Sequence, residues 1–225
     1  MDLNLLKNYT KNRYFPELDI KYKNESFFMK ILSYILFFNK SFMTLYITTI
    51  GNTLYYPSEE FVQSRKFSSL VVFLHELMHI ADSKKLNNIF YSFLYLLPIS
   101  LIPFVLPLFI FNWWIPLIAI AICLIPFPAY FRMIFEKRGY MVSLYATKKL
   151  SDKLNYKTDL EVSKNTCLRN FKNANYYFMW IFPDIDKKFD DALKKIIKRE
   201  RPFEDPIFDI IDDLIYQISP SILLS

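Results

Sequence analysis

The chain is 225 residues long, 53% hydrophobic and 19% aromatic, which excludes a disordered tail or a coiled-coil rod. Two glycines exclude a glycine-rich phosphate loop, and two cysteines, Cys123 and Cys167, exclude a disulfide scaffold or a four-thiolate metal site. A net charge of +6 leaves an anionic membrane surface or a nucleic acid open as partner.

The N-terminus, Met1-Asp2-Leu3-Asn4, is polar and followed by Lys7, Lys11 and Arg13, so no cleavable signal peptide is expected there. Ser26–Phe38 predicts a helix that is apolar around much of its surface and too short to span a bilayer. Thr44–Ile50 and Thr53–Tyr56 are β-branched and aromatic runs on either side of Gly51-Asn52, the pattern of a β-hairpin. Ser58-Glu59-Glu60 reads as a helix start, and a helix is predicted from about Ser64 to Asp82.

That helix carries His75-Glu76-Leu77-Met78-His79. Histidines four apart project from one helical face, so both imidazoles can reach a single zinc ion. Glu76 follows the first of them, where a carboxylate can take a proton from water at the metal. An amphipathic helix with two surface histidines would need both to fall at this spacing by accident, although the chain has only two.

Leu86 to Phe131 is a run of 46 residues without a charge, and it contains Pro98, Pro103, Pro107, Pro116, Pro126 and Pro128. Its length fits about two membrane passes, with Phe90–Phe111 and Ile115–Phe131 as the helices and Asn112-Trp113-Trp114 as an interfacial turn. A single re-entrant loop is the alternative. Lys84 and Lys85 precede the run, and Arg132, Lys137 and Arg138 follow it. The positive-inside bias puts both flanks, and the site, on the cytoplasmic side.

Two histidines leave a catalytic zinc one protein ligand short, so a carboxylate or a cysteine must complete the set. Glu136 is the first acid after Asp82, and a hairpin that leaves the bilayer where it entered returns it to His79. Asp82, on the same helical face as His79, is a candidate to orient an imidazole. Arg132–Leu150, Asp184–Arg199 and Asp205–Ser219 read as further helices. Between Arg132 and Asn175 ten Lys/Arg face four Asp/Glu, a balance that suits anionic lipid headgroups.

These motifs resemble the HExxH zincins whose third ligand is a glutamate on a later helix, most closely the HtpX and CAAX-prenyl-protease type. Glu136-Lys137-Arg138-Gly139-Tyr140 is also similar to the Glu-x-Arg-Gly-Tyr of small metallopeptidase-like proteins encoded by bacteriophages. The resemblance covers roughly 44–145. It departs from the HtpX-type pattern where Glu-x-x-Ala-Asp would be expected, because Gly139-Tyr140 stands in place of Ala-Asp.

The expected fold is α+β and predominantly helical: a zincin-like core of β-hairpin, HExxH helix and glutamate helix, with an inserted hydrophobic hairpin. It forms one catalytic domain, in which 1–85 holds the first elements, 86–131 the membrane hairpin and 132–225 the glutamate helix and C-terminal helices. The function implied is a membrane-associated zinc peptide hydrolase acting on a peptide or protein. His75, His79 and Glu136 hold Zn2+, Glu76 is the general base, and Tyr140, Tyr176 or Tyr177 is an oxyanion donor. The alternative is a non-enzymatic membrane-inserting protein of virion type with a structural metal. No nucleic-acid partner is expected, since the basic residues lack a helix-turn-helix or aromatic-interleaved setting.

Overall fold

The computed structural model describes residues 3–35, 40–124, 129–155, 157–172 and 184–219. The chain is mostly helical with one small sheet, as an α+β reading requires. Its elements are α1 (Leu3–Arg13), β1 (Asp19–Tyr22), α2 (Phe27–Ile35), β2 (Thr48–Ile50), β3 (Thr53–Tyr56), α3 (Glu59–Ser64) and α4 (Lys66–Leu86), then α5 (Asn88–Tyr95), α6 (Ile102–Val105) and α7 (Trp114–Leu124). Four further helices follow: α8 (Tyr130–Leu154), α9 (Leu160–Lys172), α10 (Ile185–Ile197) and α11 (Ile207–Gln217). The elements fall into two compact units, 1–81 with 146–158 and 204–225, and 82–145 with 159–203.

In the first unit the hairpin forms where the turn chemistry allows it. Gly51 sits at φ +58, in the left-handed region a side chain disfavours, and an added Cβ would meet no neighbour, so the backbone angle alone calls for glycine. β2 pairs antiparallel with β3, with Thr49 opposite Leu54. β1 adds in parallel on the other side, giving the order β1-β3-β2. The central strand buries Leu54 and Tyr56 completely. Ser58 caps α3 by accepting the backbone N–H of Phe61, which relieves one of the unpaired donors at a helix start.

α4 is apolar around most of its circumference: Leu70, Phe73, Leu74, Leu77, Met78 and Ile80 are all buried. A helix of that kind belongs in a core rather than on a surface. The C-terminal part of α8 and α11 close the same unit. Lys153 Nζ donates to the carbonyls of Ile215 (2.7 Å) and Tyr216 (2.6 Å), the negative end of α11, and Lys149 pairs with Asp212 at 3.1 Å. Tyr9 and Tyr14 both donate to Asp213, each at 2.7 Å, tying α1 and its C-terminal turn to α11.

In the second unit α8, α9 and α10 pack through aromatic contacts. Tyr140 meets Phe171 edge-on with centroids 5.4 Å apart, and Phe171 meets Phe189 at 5.6 Å. Lys164 bridges Glu161 and Asp190 at 2.7 and 2.6 Å, joining α9 to α10.

The apolar segment of that unit departs from the expected pair of spanning helices. Among the described residues no single helix is long and apolar enough to cross a membrane. The stretch expected as one helix, Phe90–Phe111, is instead α5, two short 3-10 turns (Ile99–Leu101 and Leu106–Ile110) and α6. Asn88–Tyr95 and Ile99–Ile110 reach the required apolar length only together, and they bend by 116°. Pro98, Pro103 and Pro107 account for the breaks, since each removes an N–H donor and crowds the preceding turn. The expected second helix, Ile115–Phe131, is helical over Trp114–Leu124, and 125–128 lie outside the described residues. The segment nevertheless presents a broad apolar surface, with Phe104 69%, Ile110 83%, Phe111 84% and Trp114 57% exposed.

Candidate metal centre

The helical spacing of α4 sets His75 and His79 one turn apart. Their Nε2 atoms face each other at 3.0 Å, with the rings edge-on. One ligand atom from each of His75, His79 and Glu136 lies within 4.8 Å of the other two, and all three residues are buried. Tetrahedral ligands about 2.0–2.1 Å from zinc stand roughly 3.3 Å apart, so the histidine pair has a bite that fits. The donor set, two imidazole nitrogens and one carboxylate oxygen, suits zinc.

A cysteine as third ligand was the open alternative from sequence. The group holding both imidazoles contains neither Cys123 nor Cys167. Burial also pushes the Cys167 thiol up to about 12, so it stays protonated and unsuited to a metal.

Glu136 accepts a hydrogen bond from a residue that the sequence did not single out. The Tyr95 hydroxyl donates to its Oε1, and the Arg132 guanidinium stacks over the Tyr95 ring at 4.6 Å. Two residues after Glu136, Arg138 Nε donates to Asp82 Oδ2 at 3.0 Å, and its guanidinium lies 4.9 Å from the Phe203 ring. Asp82, a candidate imidazole orienter by spacing, therefore holds an ion pair with Arg138.

The expected base is also held. Thr49 Oγ1 donates to Glu76 Oε2 at 2.6 Å. Register explains the contact: opposite residues of an antiparallel pair point to one face, and Thr49 faces the same way as the fully buried Leu54. Behind it Lys23 is fully buried, its Nζ bonded to the carbonyls of Phe42 (2.7 Å) and Tyr46 (2.8 Å). Burial lowers Lys23 to about 7, and the charge of Glu76 partly opposes that shift. Burial likewise lifts the Tyr56 hydroxyl well above its ordinary value, with Glu76 adding to the effect.

Tyr140 is buried against Phe171, and its hydroxyl accepts from Asn170 Nδ2 at 3.0 Å. That placement supports packing of α8 on α9 and gives no support to the expected oxyanion role. Tyr176 and Tyr177 lie outside the described residues. No protein-family model, curated protein or solved structure matches the chain.

Proposed function

We propose that the chain is a membrane-associated, zinc-dependent peptide hydrolase with a zincin-like core. The observation that carries this reading is the convergence of buried donors from His75, His79 and Glu136, with Glu76 one position after the first histidine. A purely structural metal site would gain nothing from that carboxylate. When bound, zinc supplies Lewis acidity and makes water a nucleophile near neutral pH. His75, His79 and Glu136 hold and orient it. Glu76 Oε accepts the proton of the attacking water and delivers it to the leaving amine nitrogen of the scissile peptide. Thr49 fixes the direction of that carboxylate through the bond to Oε2.

The membrane half of the proposal rests on the charge-free run 86–131 and its exposed aromatic and aliphatic side chains. Prolines break that run, so a bent, re-entrant insertion fits better than two full passes. The flanking basic residues keep the site on the cytoplasmic side.

The test is Glu76→Gln beside wild type, with zinc content measured and hydrolysis followed on an internally quenched peptide library in lipid vesicles. The expected outcome is unchanged zinc with turnover lower by about 10²–10⁴-fold. Equal turnover in the variant removes Glu76 as the base. A zinc-loaded wild type that cleaves nothing supports the structural-metal alternative.

A further inference from the structure

Helix α2 presents an apolar face that neither the sheet nor the metal centre uses. Its inner side is fixed: Met29 is fully buried in a cluster with Phe42 and Tyr55, against which Leu32 and Met43 pack. The other side carries Phe27 (77% exposed), Ile31 (44%) and Tyr34 (80%), a stripe at i, i+4 and i+7, with Phe28 beside it at 53%. Lys30 is exposed on the border of the same stripe.

We propose that this face of α2 lies in the interface of an anionic lipid bilayer, as a second attachment independent of residues 86–131. Charge decides between lipid and a protein partner. From Ser26 to Ser58 the chain has no Asp or Glu, while Lys30 and Lys40 are present and exposed. The nearest acid, Glu25, precedes the helix. A lysine on the border of an apolar stripe can lay its methylenes along the stripe and reach a phosphate with its ammonium group. Burying the same ammonium in a dry protein contact would leave it unpaired. Two phenylalanines and a tyrosine also match the level of the headgroups, where an aromatic body meets a polar boundary. The helix is too short to cross, so it lies along the surface.

The experiment uses the full chain with Cys123→Ala and Cys167→Ala, and a single environment-sensitive NBD label at Phe27→Cys or Tyr34→Cys. Lys198→Cys serves as the aqueous reference, and circular dichroism checks that each variant keeps the wild-type helix signal. Vesicles of phosphatidylcholine with phosphatidylglycerol are added, with and without a shallow doxyl-labelled lipid. Emission at 27 and 34 is expected to rise about threefold, and doxyl lipid to quench about half of it, with weaker effects on phosphatidylcholine alone.

Equal iodide quenching at 34 with and without vesicles overturns the proposal. So does a label shielded from iodide before lipid is added and insensitive to doxyl, which would mean that a second copy or another protein covers the face. A label at Phe111→Cys reads the proline-broken segment separately. Insertion at 111 with none at 34 overturns the α2 attachment and leaves the membrane part of the proposed function standing.

Discussion

Lys23 shows how a single buried residue links pH to the stability of the site's surroundings. Its ammonium group is enclosed, bonded to two carbonyls and 4.0 Å from the Phe42 ring centroid. Its proton affinity falls to about 7, from 10.5 in the open chain. Between those values the unfolded chain holds a proton that the folded chain lacks, so stability rises with pH across that window. Below about 7 the folded chain must carry the buried charge, and the gain is gone. Wild type relative to Lys23→Met is therefore expected to gain stability between pH 6.5 and 9, by at most about 1.4 kcal/mol per pH unit. Urea unfolding of both proteins at the two pH values checks it, and a difference that stays flat with pH contradicts it. Nothing in the sequence marked Lys23, because enclosure by the loop at 42–46 is a tertiary property that one lysine among many cannot announce.

Helix periodicity and turn chemistry are local, and the elements that depend on them were legible. The His75 and His79 pair follows from 3.6-residue geometry, and the β-hairpin from Gly51-Asn52 between β-branched runs. β1 was not legible: Asp19-Ile20-Lys21-Tyr22 is short and half charged, and it becomes a strand only because β3 offers a parallel edge. The proline-rich segment was misread for a related reason. Composition shows how much apolar length is present, but each proline decides where a helix stops. The contact between Thr49 and Glu76 spans 27 positions and depends on which face of β2 turns inward. At the scale of elements, Thr49→Val tests whether that strand aims the base. Since a hydrogen bond to a charged group contributes about 1.5–3 kcal/mol, kcat is expected to fall about tenfold or more, with KM and zinc content unchanged and Thr49→Ser restoring it. Equal kcat in Thr49→Val would make the contact incidental.

At the scale of the whole molecule, the charge-free run and the histidine helix are separate signals that Glu136 ties into one account. Its carboxylate stands 57 positions beyond His79 in the chain, and its ligand oxygen falls within 4.8 Å of both imidazoles. The sequence pointed to this residue by elimination and topology, while the Tyr95 hydroxyl that donates to it emerged only from the fold. Metal analysis of purified wild type beside Glu136→Ala, with circular dichroism to show that both are folded, tests the centre most directly. Wild type is expected to hold about one zinc per chain and Glu136→Ala to lose it. Full zinc retention in a folded Glu136→Ala protein would contradict the three-residue site and the hydrolase proposed on it.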